Sequence, residues 1–231
     1  MCSSDLMTYR ISALGRAALI MWRGWRVVLP VVVANALLQS LLAMPDGSLE
    51  QGALLMLLAV LSAVAFLFGY AFIGASALLS PRGPVRWTDV RRQLAGTLAP
   101  YALWALILLL ATGAAMVLHR GAALLLHSVT VFVLIAALDG KRNPLAANVR
   151  TIGRRFWRWL VTAAITTAVI AVGIGLAGVT MFFLRAPLGA LVVWLVAGLL
   201  VSWMTTAWAL IYLKRDPDLA PDAAGTYPER A

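Results

Sequence analysis

Positive charge in this chain falls almost entirely on alternate sides of six long apolar stretches, and that alternation limits its fold more than any motif does. The stretches run over 27–44, 53–79, 98–118, 121–138, 160–183 and 189–212. Each has about the 20 residues that crossing a bilayer core requires. The connections at 45–52, 119–121 and 184–188 carry only Arg120 and Arg185. The other basic residues lie in the N-terminal segment (Arg10, Arg16, Arg23, Arg26), in 80–97 (Arg82, Arg86, Arg91, Arg92), in 139–159 (Lys141, Arg142, Arg150, Arg154, Arg155, Arg158) and in the tail (Lys214, Arg215, Arg230). The positive-inside rule then puts both termini in the cytoplasm. Backbone polar groups in lipid must be satisfied internally, and stretches this long achieve that as helices.

Composition agrees. A chain of 231 residues that is 62% hydrophobic and 12% charged is too apolar for a soluble domain. A net charge of +10 would suggest nucleic acid in a soluble protein. Here the basic residues sit just outside apolar spans, so anionic lipid headgroups are the expected partners. No basic, aromatic-bearing soluble domain exists to bind nucleic acid.

The first six residues, MCSSDL, read as the translation of a sequencing adapter from a GTG start, which places the natural start at Met7 or upstream. They are excluded from fold reasoning, and the sole cysteine, Cys2, goes with them. That leaves no disulfide, no thiolate nucleophile and no cysteine metal site. Residues 7–215 form the expected membrane domain. The tail over 216–231, rich in Pro, Asp, Ala and Gly, is expected to be disordered.

Three basic segments read as amphipathic helices on the inner surface. Residues 7–26 place Arg16, Arg23 and Arg26 together, away from most of the apolar side chains. Residues 85–97 set Val90 and Leu94 beside Arg91 and Arg92. Residues 143–159 show the pattern most clearly: Asn143 suits an N-cap and Pro144 the first helical position. Arg150, Arg154 and Arg158 then recur at i, i+4 and i+8, which makes one stripe. The expected fold is all-α: six transmembrane helices as three hairpins, each preceded by a cytoplasmic amphipathic helix. A weak internal repeat supports it, with Ile20, Arg23, Trp25 and Arg26 aligning with Ile152, Arg155, Trp157 and Arg158.

Candidate chemistry is sparse. No Asp, Glu, Lys or Arg lies in the middle of a span, which counts against proton relays, ion paths and embedded catalysis. His127, beside Ser128 and Thr130, reads first as a packing histidine; neighbours on a helix point apart, so no Ser–His pair forms. His119 reads as solvated. Asn35 and Gln39, one turn apart with Ser40 adjacent, either line a polar cavity with His127 or bond to a neighbouring helix, and the second reading is favoured. Thr162, Thr166, Thr180, Ser202, Thr205 and Thr206 can bond back to their own helices. The string GIGLAG (Gly173, Gly175, Gly178) matches GxGxxG but lacks the strand and the acid of a dinucleotide site. Its small residues, with Ala171 and Ala177, suit close helix–helix approach or local flexibility. Trp22, Trp25, Trp87, Trp157, Trp159 and Trp208 read as an interfacial belt, and Trp203 as a packing residue. The arginine row Arg150, Arg154, Arg155 and Arg158 either anchors topology or recognises a lipid phosphate or an acidic partner.

The segment LIAALDGKRNPLAANVRTIGRRFWRWLVTAAI (134–165) resembles a pattern in the glycerophosphodiester phosphodiesterase membrane-domain family and its six-span bacterial relatives. There a span ends in an acid-glycine corner, and a small-and-basic helix leads through an arginine/aromatic stretch into the next span. Asp139-Gly140, Asn148 to Arg150 and Arg155 to Trp159 occupy those places. The close WALIYLKRD (208–216) looks like the family's ending. The chain departs from the pattern in having Asp139 where glutamate is usual and in its short tail. In that family the phosphodiesterase is a separate soluble domain, so the resemblance implies the six-span architecture and carries no enzymatic activity across. The sequence thus points to a bacterial inner-membrane protein without a cofactor or catalysis of its own, accessory or lipid-associated. The alternatives are an ABC-type exporter permease contacting a cytoplasmic ATPase through 82–97, and, less favoured, an enzyme acting on lipid phosphates.

Overall fold

The apolar stretches form helices close to the expected bounds, but the helices break in different places. The structure, a computed structural model, describes residues 14–42, 52–184 and 186–213. The adapter-like start, Cys2, residues 7–13 and the tail from 214 lie outside them. In chain order the helices are α1 (Leu14–Arg23), α2 (Trp25–Leu42), α3 (Gly52–Leu79), α4 (Trp87–Leu118), α5 (Arg120–Leu138), α6 (Pro144–Arg154), α7 (Phe156–Phe183) and α8 (Ala186–Leu213), with one 3-10 turn at Ser80–Arg82. No strand occurs among the described residues. Among the described residues five helices are long and apolar enough to cross a membrane, and a sixth span is reached if the bent pair α1–α2 counts as one. The chain has the helices of a multi-pass integral membrane protein.

Three boundaries differ from expectation. The segment 7–26 is not one helix: α1 stops at Arg23 and α2 leaves at 90° to it. Gly24 makes the elbow, where an added Cβ would run into Ser76 Oγ of α3. Only glycine lets the chain approach α3 so closely. The segment 143–159 is also broken, at Arg155, so Arg150 and Arg154 belong to α6 and Arg158 to α7. Both members of the weak repeat therefore carry a one-residue joint. The segment 85–97, by contrast, is no separate helix. It forms the first three turns of α4, which runs unbroken through Pro100 for 32 residues, about 48 Å of helix. Pro100 removes only one backbone donor. Asp89 in the first turn accepts from the Arg86 amide at 3.1 Å.

The turn from α5 to α6 shows how tightly one end of the bundle is finished. The last carbonyls of a helix lack intrahelical partners. Those of α5 all find one: Ile135 O accepts from the Asp139 amide at 2.9 Å, Ala136 O from Lys141 at 3.0 Å and Ala137 O from Gly140 at 3.0 Å. Leu138 O accepts from Gln93 Nε2 of α4 at 2.6 Å. This is a Schellman turn with Gly140 at φ +74° in the left-handed position. Asn143 Oδ1 then caps α6, accepting from the Ala146 amide at 3.0 Å, with Pro144 at the first position as the sequence suggests.

Consecutive helices pair in space, α2 with α3, α4 with α5 and α7 with α8, and α8 closes the bundle against α2 and α3. The main core surrounds the last turns of α5, where Phe132, Ile135 and Leu138 are fully buried with Val90 and Tyr101 of α4. Trp208 of α8 meets Phe132 edge-on at 5.4 Å and is buried, so it belongs to this core and not to an interfacial belt.

Candidate functional site

The described basic residues other than Arg120 gather at the end of the bundle where α5 finishes, together with α6. The α6 helix is held by side chain, not by charge. Asn148 is buried; its Nδ2 donates to Val129 O at 2.8 Å and its Oδ1 accepts from the Phe132 amide at 3.1 Å, both on α5. Trp159, on the first turn of α7, donates from Nε1 to Ser128 O at 2.8 Å. These bonds fix the rotation of α6, and with it what faces outward. Leu145 and Val149 are 43% and 67% exposed, and Phe156 and Trp157 are exposed just past the joint. Arg150, Arg154 and Arg158 are exposed beside them. Arg155, expected in the same row, is half-buried at the joint. The other exposed tryptophans are Trp22 and Trp25, stacked at 6.3 Å across the α1–α2 elbow, with the Arg26 guanidinium 5.9 Å from the Trp25 ring centre.

Three further ties at this end had no signal in the spacing of the sequence. Tyr212 Oη at the end of α8 donates to Asp139 Oδ2 at 2.9 Å, and Lys141 Nζ lies 3.2 Å from the same oxygen. Trp203 Nε1 donates to Leu14 O of α1 at 3.0 Å, so this packing tryptophan also anchors the first helix. His119, expected as merely solvated, is exposed but caps α5 by accepting from the Gly121 amide at Nδ1.

Of the polar residues inside the spans, Asn35 and Gln39 share Ser62 as a neighbour, and His127 stands apart from them. Gln39 pairs with Ser62 of α3, whose hydroxyl donates to Gln39 Oε1 at 2.7 Å, as the helix-bonding reading favoured. Ser40 donates to Leu37 O. Asn35 lines a cavity of about 470 Å³ between α2, α3 and α8, and its buried Oδ1 receives no hydrogen bond from the protein. His127 lies elsewhere, in the wall of a second cavity of about 710 Å³ formed by α3, α4, α5, α7 and α8. The two cavities share Phe66, Tyr70, Trp194, Ala197 and Val201 as a common wall. Thr166, Thr180, Ser202 and Thr206 bond back to carbonyls of their own helices, as expected. The glycines of GIGLAG face open space: an added Cβ at Gly173, Gly175 or Gly178 meets nothing within 4 Å. Close approach occurs at other glycines, Gly198 against Val32 and Gly74 against Leu138.

Among the described residues no group of His, Cys, Asp and Glu could hold a metal ion. Comparison with known protein families, with curated proteins and with solved structures finds no match to this chain.

Proposed function

We propose that this chain is a lipid-associated protein of the bacterial cytoplasmic membrane, without catalysis of its own, that holds anionic headgroups at its basic, cytoplasmic end. The observation behind the reading is the outward face of α6 and the α6–α7 joint. Exposed Leu145, Val149, Phe156 and Trp157 stand there next to exposed Arg150, Arg154 and Arg158. A helix with apolar side chains beside arginines suits the boundary between acyl chains and phosphates. The α1–α2 elbow, with Trp22, Trp25, Arg23 and Arg26, has the same make-up. An exporter permease would need a projecting coupling element at 82–97. That stretch is the start of α4, with Val90 and Leu94 buried and Arg86, Arg91 and Arg92 exposed, and an ATPase that co-purifies through it would favour the exporter reading over the lipid-associated one.

The test is headgroup selectivity in the purified protein. Replacing Arg150, Arg154 and Arg158 together by Gln removes about 1 kcal/mol per charge, so retention of phosphatidylglycerol over phosphatidylcholine should fall on the order of 100-fold. Native mass spectrometry of bound lipid reads this directly, with topology checked by cysteine accessibility. Unchanged retention with intact topology would rule the reading out.

A further inference from the structure

The cavity of about 710 Å³ is opened by one helix. α7 packs on α8 and α6 but makes no extensive contact with α4 or α5. Its wall includes Leu109 of α4 and Ile170, Ile174 and Leu176 of α7, all of which are also exposed at the molecular surface. The opening is therefore lateral, between α7 and the α4–α5 pair, on the side that faces acyl chains in a bilayer.

The wall is more apolar than its residue types suggest. Thr130 and Thr180 donate their hydroxyls to the carbonyl four residues earlier, at 2.7 Å, within their own helix; Thr166 does the same and also lies 3.4 Å from Met204 Sδ of α8. Tyr70 and Thr205 hydrogen-bond to each other. Thr112 and His127 remain as the other polar side chains in a wall that is otherwise aliphatic and aromatic. So apolar a wall disfavours filling by water. Left empty, its wall loses dispersion contacts. Only an apolar molecule fills it well, and the bilayer supplies one at the opening. On α7 the lining runs from Thr166 to Thr180, about 21 Å of helix, against roughly 15 Å for one leaflet of a 30 Å hydrocarbon core. The space is long enough for a chain.

We propose that this cavity is a binding site for one acyl chain of a membrane phospholipid, entering sideways between α7 and the α4–α5 pair. Chain occupancy needs none of the arginines and does not rest on the headgroup reading.

Two glycines on α7 provide a matched test. Gly173 lines the cavity; Gly175 does not, and neither has a neighbour that an added side chain would strike. The full chain is reconstituted in phosphatidylglycerol nanodiscs containing a phospholipid with a diazirine in one acyl chain, photolysed and mapped by peptide mass spectrometry. Label is expected at the buried lining residues Val131 and Met204 in excess over the outward-facing Val172 and Val179. Gly173→Phe should lower label at the lining about tenfold, the equivalent of burying roughly two fewer methylenes. Gly175→Phe should leave it unchanged. If Gly173→Phe fails to fold, as judged by its melting transition, Ile170→Trp fills the same space from a larger starting side chain, with Met204 as the site read. Equal label on lining and outward residues overturns the proposal, as do equal effects of the two phenylalanines. Labelling of the lining by a diazirine fatty acid but not by the phospholipid also overturns it. Headgroup selectivity lost in the arginine variant while the lining stays labelled would separate the two readings.

Discussion

The half of the bundle around Phe132 and the half around Gly173 are built from the same apolar residue types, yet one is closed and the other open. Around Phe132, helices are tied by side chains that reach backbone groups on a neighbour: Asn148 and Trp159 to α5, Gln93 to Leu138 O, Tyr101 to Leu67 O and Trp203 to Leu14 O. Around Gly173, the hydroxyl of Thr180 turns back on its own helix, that of Thr166 does so while reaching only Met204 Sδ of α8 at 3.4 Å, and the glycines face space. Lipid tails are as apolar as leucine, so hydrophobicity gives no reason for one membrane helix to prefer another over lipid. Interhelical hydrogen bonds and close small-residue contacts decide it, and they are concentrated at the basic end.

The sharpest way to break this contrast is a pair of truncations. Phe132→Ala removes a ring with no exposure, packed against Trp208 and Tyr212, and should cost about 3–5 kcal/mol. Ile174→Ala trims a side chain that is 69% exposed and should change stability by less than about 0.5 kcal/mol. Reversible unfolding in mixed micelles measures both. Comparable losses at the two sites would show that the open half is as well packed as the closed one.

The elbow comes next. Gly24→Val would push a branched side chain against Ser76 and should cost about 1–3 kcal/mol by overpacking, read in the same unfolding assay. Ser76 Oγ is the nearest atom to an added Cβ, with Ser80 Oγ next at 3.1 Å, so a Ser76→Gly background should recover part of the loss and a Ser76→Gly/Ser80→Gly background more. No recovery would move the cause from the α1–α3 contact to the backbone at the joint.

Much of this was legible in the residues, but unevenly. The span positions followed from apolar length, and the start of α6 from Asn143-Pro144, because cap chemistry is local. Helix breaks were not local. Gly24 breaks a helix because α3 stands behind it, whereas 85–97 continues into α4 while Gln93 bonds to α5. The arginine row was visible from its spacing, yet Arg155 turned out to be half-buried because the joint falls there. Asn35, Gln39 and His127 were grouped as polar residues in spans. Their different places, Asn35 in one cavity wall, His127 in another and Gln39 bonded to Ser62 of α3, depend on which helices meet, which spacing along one chain does not encode. Gly173, Gly175 and Gly178 looked like a packing surface, and the contacts that need glycine lie at Gly24, Gly74 and Gly198.

Asn148 sharpens the comparison at the level of single bonds. Asn148→Ala removes a donor and an acceptor to α5 and should cost about 1–2 kcal/mol, the upper part of the range for polar contacts between membrane helices. Its second readout is local: hydrogen exchange at the Phe132 amide should rise, since that amide loses its Asn148 partner. Unchanged exchange together with lost stability would assign the cost to packing alone.

The smallest effects test the glycines, and here the sign matters more than the size. At Gly198 an added Cβ would lie 2.7 Å from Val32 Cγ1, so Gly198→Ala forces α2 and α8 apart and should destabilise by about 1 kcal/mol. At Gly173 the same methyl meets nothing within 4 Å, and Ala is the better helix former, so Gly173→Ala should be neutral or stabilising by up to about 1 kcal/mol. A chain bound in the cavity leaves room for one methyl, so lipid occupancy should persist in Gly173→Ala while it is lost in Gly173→Phe. Destabilisation by Gly173→Ala as large as that by Gly198→Ala would mean that α7 closes onto the bundle in the membrane, and the distinction between the two halves would not survive it.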